Sequence, residues 1–355
     1  MTLKEIRKQK GLTQEQAAKI LNVPIRTYKR YDSALIEKSN YKLSSLAEEL
    51  KSFNKKVARK QRVKKQSLAI IGAGFVGYNT GLVYSKAFDV TFVDKSSEKR
   101  QLLQSKFKVT KSVNELVNVN IALICLPTDY NEKTNAFNTK DIETTIGDIY
   151  KINRNALVII RSTVGIGYTD SLCKKFNKNI VYMPEFLKEK TALEDVKNPI
   201  RVIVGAHRVS AKLMNFIWAI TTCTDIPSFA NFMKPKEAEM VKLYSNAYLA
   251  MRVAFFNQLD EVAYKEKINT KVIIDSLGLD ERIGNKYNNP SFGYSGYCLP
   301  KDLKVLANYT NSDLLKAVDT TNKNRKETLA KEIVKLAKRI DRVPLIGIYK
   351  LETKR

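Results

Sequence analysis

The chain has 355 residues, which at roughly 150 residues per domain implies two to three domains and more than one buried core. Hydrophobic residues make up 44% and charged residues 28%, and no stretch approaches the run of about 18 apolar residues that a membrane-spanning helix needs. A single histidine, His207, leaves imidazole triads, multi-histidine zinc sites and histidine proton relays without their parts, while 62 Lys+Arg against 36 Asp+Glu give +26, a field that attracts polyanions and anionic ligands.

The opening MTLKEIRKQKGLTQ has no apolar segment before a small-residue cleavage site, which predicts a cytoplasmic chain. Cys125, Cys173, Cys223 and Cys298 are then expected as reduced thiols, and no metal site is expected. Residues 1–66 hold 18 Lys+Arg and 6 Asp+Glu, so the N-terminal fifth is the most basic part. Leu3 and Ile6 open a first helical pattern. Thr13 caps a second, with Gln16 at the capping-box position and Ala17, Ala18 and Leu21 apolar. After a corner at Asn22-Val23, a third helix begins near Pro24, with Ile25, Tyr28 and Tyr31 inward and Arg26, Thr27, Lys29 and Arg30 outward. Lys42 to Phe53 adds a packing helix. The run TQEQAAKILNVPIRTYKRY resembles the Cro/repressor-type helix-turn-helix, whose second motif helix enters the major groove. That resemblance implies DNA as a partner, contacted by Arg26, Thr27 and Lys29; a bundle that makes only protein contacts is the alternative. Residues 1–54 form this all-α domain. Residues 55–66 form a linker whose KKVARKQRVKK reads either as a soluble tether or as a contact to a nucleic-acid backbone.

From residue 67 the texture changes. Leu68-Ala69-Ile70-Ile71 is a continuous apolar run, the pattern of a parallel strand buried on both faces. It ends in Gly72-Ala73-Gly74-Phe75-Val76-Gly77, a helix-like segment continues through Tyr84, and a second strand, Val90 to Val93, closes at Asp94. Glycines at 72, 74 and 77 allow a tight turn and close approach to a pyrophosphate over Phe75 and Val76, and a carboxylate about 20 residues on accepts from a ribose 2′-hydroxyl. Asp94 favours NAD over a 2′-phosphorylated dinucleotide. Further strands are expected at Ile121–Leu126, Ala156–Ile160, Ile180–Met183 and Val202–Val204, alternating with helices. Pro127-Thr128, Arg161-Ser162-Thr163 and Pro184-Glu185 then fall at the carboxyl edge of a parallel sheet, where ligands bind. The fold class is therefore α/β: a Rossmann-type parallel sheet domain over 67–228, preceded by the small helix-turn-helix domain. A long-helix all-α domain over 229–325 follows it.

That helix runs from Lys236 to about Lys267 without Pro or Gly, placing Lys242 and Asn246 four apart on one face. By itself the pair reads as solvated. The loop NNPSFGYSGYCLPKD then presents Cys298 just before Lys301-Asp302, and an isolated cysteine is more often a buried small residue than a nucleophile. In order, however, the chain carries GAGFVG, a Pro-Thr turn, RSTVGIG, MPEFLKE, EAEMVKLYSNAYLA and PSFGYSGYCLPKD. Together these resemble the UDP-glucose 6-dehydrogenase family, within the UDP-glucose/GDP-mannose dehydrogenase superfamily, over roughly residues 67–350.

The resemblance implies NAD-dependent oxidation of the C6 alcohol of a UDP-sugar to a carboxylate, with Cys298 as the nucleophile. It places Lys242 and Asn246 beside the developing oxyanion, Asp302 and Thr163 at a water, and Glu189 as a proton acceptor. It implies cofactor contacts from Thr128, Thr163 and Lys301, and substrate contacts from Glu185, Phe186, Leu187, Arg282, Tyr287, Ser291, Gly293 and Gly296. It also implies a homodimer formed through the 236–267 helix. Departures are the short Lys95–Ser112 stretch, Ser295 where a glycine is usual, the added helix-turn-helix, and a uridine-binding domain represented by 326–355 alone, with one strand at Val343–Tyr349. Two other readings stay open: a transcriptional regulator using the dehydrogenase body as dimeriser or sensor, and an inactive remnant.

Overall fold

The computed structural model describes residues 2–21, 23, 25–32, 65–225 and 230–339. The expected helix at Lys42–Phe53, the linker up to residue 64, Pro24 and the strand at Val343–Tyr349 lie outside the described residues.

Three helices come first: α1 (Leu3–Gln9), α2 (Gln14–Ile20) and α3 (Ile25–Asp32). The expected capping box is formed: the Thr13 N–H donates to Gln16 Oε1 at 3.0 Å and the Gln16 N–H to Thr13 Oγ1 at 3.1 Å. Thr2 and Glu5 make the same reciprocal pair ahead of α1. Buried Asp32 ties the ends together, accepting from Arg7 Nε at 3.0 Å and Gln14 Nε2 at 2.8 Å. Burial pushes its carboxyl up, but Arg7, Gln14 and Tyr28 offset this, leaving it below the usual range. Tyr28 is buried and Tyr31 packs beside it. Ile25 is 37% exposed rather than inward: it is the first residue of α3, and helical side chains lean toward the N-terminus, away from the rest of its helix. Arg26 and Lys29 are exposed as expected.

The second unit runs in chain order as β1 (Ser67–Ile71), α4 (Phe75–Tyr84), β2 (Asp89–Val93), α5 (Ser97–Leu103), β3 (Lys108–Thr110), β4 (Ile121–Ile124), the hairpin β5 (Tyr130–Asn131) and β6 (Ala136–Phe137), and α6 (Lys140–Ile152). It continues with β7 (Leu157–Ile160), α7 (Tyr168–Phe176), β8 (Val181–Tyr182), α8 (Ala192–Lys197), β9 (Ile203–Gly205), α9 (Ala211–Thr221) and β10 (Asn231–Met233). One sheet has the order β10-β9-β8-β7-β4-β1-β2-β3. All its pairings are parallel except β8 with β9. The strand expected near Val202–Val204 is thus present but antiparallel to β8. The intervening helix α8 has only six residues and packs against α4, so it does not carry the chain back to the sheet's other end. The strands missed by periodicity, β3, β10 and the hairpin pair, have two or three residues each, too few to show alternation. β10 also carries the sheet past residue 228.

Alternate residues along each strand feed the two faces. Ile70, Phe92, Leu123 and Ile159 pack with Tyr84 and Phe216, whereas Ile71, Ala122, Ile124 and Ile160 pack with Ile142, Ile146 and Ile149 of α6.

A helical unit follows: α10 (Pro235–Lys265), α11 (Thr270–Gly278), α12 (Cys298–Thr310) and α13 (Asp313–Ala337). Leu243, Ala247 and Ala250 of α10 share a core with Leu303 and Leu306 of α12 and Val318 of α13. The sheet and helical units are joined by Glu239 of α10. Fully buried, it accepts from the Gly167 N–H at 2.5 Å and the Thr169 N–H at 2.8 Å, capping α7 from another element. Among the described residues no helix is long and apolar enough to cross a membrane.

Among the described residues, the helix-turn-helix core is shared with the sheet unit. Met214 and Trp218 of α9 enter the same cluster as Leu3, Ile6, Leu21 and Tyr28. Trp218→Ala is expected to cost about 3 kcal/mol and to accelerate amide hydrogen exchange across α1–α3 while β1, β4 and β7 stay protected. Unchanged exchange in α1–α3 would refute this docking.

Candidate active site

β1 sits between β2 and β4, so the chain leaves it in one direction and returns on the other side, opening a crevice at the carboxyl ends of β1 and β4. Gly72 adopts φ +94°, and a side chain there would lie 2.6 Å from the Cys125 carbonyl oxygen. At Gly77 a side chain would strike the Gly72 carbonyl, so α4 can begin this close to β1 only with glycine. Gly74 differs: a side chain there would meet nothing within 4 Å, leaving open space at the N-terminus of α4. Asp94, closing β2, accepts from the Ala73 N–H at 2.7 Å through Oδ2. A bare helix N-terminus, an open face at Gly74 and a carboxylate at the second strand's end fit a dinucleotide's pyrophosphate and ribose. Thr128, on the next loop, donates to the Thr163 carbonyl at 2.7 Å and ties two carboxyl-edge loops together.

The same edge holds a buried ionic cluster. Lys242 donates from Nζ to the Glu185 carbonyl at 2.7 Å and to Glu185 Oε1 at 2.9 Å. The Leu187 N–H donates to Glu185 Oε2 at 2.8 Å, and the Phe186 ring lies 5.4 Å from Lys242 Nζ and 4.0 Å from the Arg201 guanidinium. One turn along α10, Asn246 donates to Asp302 Oδ2 at 2.6 Å, while Lys301 donates to Asp302 Oδ1 at 2.7 Å. Asp302 is fully buried and both its oxygens are engaged, so in this arrangement it holds Asn246 and Lys301. Burial works against charge on Lys242, but Glu185, Asp302 and Cys298 more than offset it and raise its pKa. Burial likewise pushes the Glu185 carboxyl up, and Lys242, the Leu187 N–H and Arg161 overcome it, so the acid stays below its usual range. Both partners are therefore charged at neutral pH.

The cysteines divide by surroundings. Burial pushes the Cys125 thiol up to about 12 and Cys223 to about 11, and raises Cys173 as well. Cys298 is only half-buried, opens α12, and is among the groups that raise the Lys242 pKa. Its loop is fixed from outside: the Ser291 N–H donates to Asn257 Oδ1 at 2.8 Å, Arg325 Nε to the Ser291 carbonyl at 3.0 Å, and Asn322 Nδ2 to the Tyr294 carbonyl at 3.0 Å. Gly293 and Gly296 have φ +116° and +80°. Asn257, Asn322 and Arg325 were not singled out from sequence, since amides and a guanidinium on amphipathic helices look like solvated positions.

The structure thus gathers Glu185, Phe186, Leu187, Lys242, Asn246, Lys301, Asp302 and Cys298. It does not bring in two expected residues. Glu189 is exposed on a 3-10 turn beyond the cluster, and the Arg282 side chain is 90% exposed and paired with Asp280 at 2.6 Å. Tyr287 packs against the helical core. Among the described residues no group of three His, Cys, Asp or Glu side chains is placed to hold a metal ion.

A dinucleotide crevice facing a buried lysine, an amide and a half-buried cysteine defines an NAD-binding oxidoreductase with a helical second domain. The comparisons carry this further. Residues 99–221 match the UDP-glucose/GDP-mannose dehydrogenase family NAD binding domain, residues 236–324 its central domain, and residues 3–52 a helix-turn-helix family. The chain is 41% identical over 312 residues to a UDP-glucose 6-dehydrogenase of Campylobacter jejuni, covering 80% of this chain and 77% of that one. It is 34% identical to one of Streptococcus pneumoniae, over 80% and 78%. The fold is similar to a UDP-glucose dehydrogenase from Pyrobaculum islandicum at TM-score 0.67 and 25% identity, over 79% of this chain and 72% of that one. The chain belongs to the UDP-glucose/GDP-mannose dehydrogenase family.

Glu185→Gln leaves the Lys242 charge buried without its main partner, an expected cost of about 3 kcal/mol at neutral pH. Because the Glu185 pKa is depressed on folding, its contribution is present above the ordinary carboxyl range and is lost as pH falls through the folded value. The difference in Tm between wild type and variant should therefore hold near neutrality and shrink in acid; a pH-independent difference would count against the pairing.

Proposed function

We propose that the chain is a UDP-glucose 6-dehydrogenase, converting UDP-glucose to UDP-glucuronate with NAD. The observation that carries this is the hydrogen bond from Asn246 of α10 to Asp302 of α12, with Lys242 paired to Glu185 one turn earlier on α10 and Cys298 at the start of α12. Gly72 to Gly77 and Asp94 would hold the cofactor, which would accept the hydride in each of two oxidations. The C6 alcohol loses a hydride and a proton to give an aldehyde. Cys298 Sγ then adds to C6, forming a thiohemiacetal; loss of a second hydride leaves a thioester, and water cleaves it to the carboxylate and the free thiol. Lys242 has three N–H donors and Asn246 two, so beyond the bonds described each retains one for the oxyanion on C6. One such donor contributes on the order of 3 kcal/mol. Thr163 and Asp302 stand by the hydrolytic water and Glu189 takes the proton, the last requiring its turn to move inward. The diphosphate lies along Ser291 to Gly296, near Tyr287.

The homodimer is supported by α10, which exposes Met240, Tyr244, Tyr248, Phe255 and Val262 at near-helical spacing. A cytoplasmic site accords with the nucleotide-sugar substrate and with thiols that must stay reduced. Wild type should yield two NADH per UDP-glucose, and Cys298→Ala should abolish the second oxidation; no NADH at saturating sugar would reject the assignment.

A second, compatible reading is duplex DNA binding through α3, favoured by the exposure of Arg26 and Lys29 on a helix whose other face is anchored by Tyr28. Arg26→Ala should weaken a salt-sensitive gel shift on duplex DNA about tenfold, and equal binding by wild type and variant would count against it.

A further inference from the structure

The hairpin β5–β6 leaves the sheet immediately after the Thr128 loop and lies on α12. Asp129, ahead of β5, accepts a hydrogen bond from Tyr297 Oη at 2.7 Å through Oδ1, and Tyr297 is the residue before Cys298. Around this bond the hairpin grips the helix by other means. Lys301 Nζ lies 4.5 Å from the Phe137 ring centroid and 5.0 Å from that of Tyr297. Lys304 Nζ lies 5.5 Å from the Tyr130 ring. Phe137 itself is buried among Leu243, Leu299 and Leu303 of the helical core. A segment of the dinucleotide domain is therefore fastened to the turn that carries the sulfur.

We propose that the Asp129–Tyr297 hydrogen bond is a positioning clasp that fixes Cys298 relative to the dinucleotide crevice, and this rests on the dehydrogenase reading above. Two of its features decide between positioning and stability. Asp129 is exposed and Tyr297 is 51% exposed, so the bond contributes little to folding. Its ends, however, are the loop of Thr128, at the crevice, and the residue bonded to Cys298; it spans the one gap that the two hydride transfers and the sulfur addition must share. Burial and the bond to Asp129 both hold the proton on Tyr297, so the donor persists at assay pH. Lys301, lying between Phe137 and Tyr297, passes the same constraint to Asp302 and thence to Asn246. The clasp acts through Cys298 and Asp302; Tyr297 and Asp129 are positioning residues.

The test uses the full chain with Tyr297→Phe, Asp129→Ala and Asp129→Asn. The readouts are alkylation of Cys298 by iodoacetamide, followed on the Cys298 peptide by mass spectrometry, and steady-state NADH formation. Tyr297→Phe removes only the hydroxyl and should leave Tm nearly unchanged while speeding Cys298 alkylation several-fold. It should also lower kcat on the order of tenfold, with the KM for UDP-glucose little altered, since misplacement of reacting groups by an ångström costs up to about 100-fold. Asp129→Ala should match it, and the double variant should lose no more than either single one. Asp129→Asn keeps an accepting oxygen and should fall nearer wild type. Equal alkylation rates in wild type, Tyr297→Phe and Asp129→Ala overturn the clasp whatever the turnover. Wild type without NADH formation would instead defeat the dehydrogenase reading, and the alkylation comparison would still decide the clasp.

Discussion

Burying charge is the constraint on which the site is built. Lys242 and Glu185 are both almost wholly removed from water, and Asp302 entirely so, at a place where an isolated ion would shed its charge. Lys242 and Glu185 keep their charge because each meets the other and a further polar group, the Glu185 carbonyl for Lys242 and the Leu187 N–H for Glu185, while the Asp302 oxygens accept from Lys301 and Asn246. Such a network contributes less to net stability than to uniqueness of arrangement, because displacing any member leaves another charge without a partner. The proposed chemistry would need a cation and an amide held still beside a thiol, and the electrostatic cost of misplacing Lys242 and Asn246 would hold them there.

One helix distributes this order. α10 presents Glu239 to the N-terminus of α7, Lys242 to the β8 loop, Asn246 to α12 and Asn257 to the loop before Cys298, all within its 31 residues. One continuous helix of this length reaches both units, so residues on different turns address different partners. The sheet then needs only to bring its carboxyl-edge loops to that helix, which the switch between β1 and β4 does.

Much of this was legible in the chain before any coordinates. The continuous apolar strands, the glycines of 72–77, Asp94, the Thr13–Gln16 box and the cluster of Lys242, Asn246, Cys298 and Asp302 all follow from short-range patterns or from motifs whose order is specific. The rest was not legible, for physical reasons that differ from case to case. The orientation of β9 depends on where α8 packs, a long-range contact. Ile25 was read inward from helical period alone, which takes no account of where the helix begins. Arg325 and Asn322 look like ordinary polar positions until the loop they hold is seen beside them. Glu189 and Arg282 were expected at the site from motif position, yet both face solvent here, since a motif specifies a residue's neighbours in sequence and not the conformation of its turn.

The docking of the N-terminal helices bears on what they can do. Attachment through the chain alone would leave their distance from the sheet unit unspecified, and two copies would present their α3 helices at no fixed separation. Instead α9 has two apolar faces in use: Phe216, Ile217 and Ile220 lie in the sheet core beside Tyr84 and Phe88, while Met214 and Trp218 join the cluster of α1–α3. The helix-turn-helix is thereby referenced to the same layer that packs under α4, the helix that begins at the dinucleotide loop. A dimer of the catalytic body would then hold its two α3 helices at a fixed spacing, the geometric condition for reading paired half-sites about one turn of DNA, or a multiple of it, apart. The fixing contact is hydrophobic, and the cations that would favour such a partner, Arg26 and Lys29, are exposed on the helix so fixed.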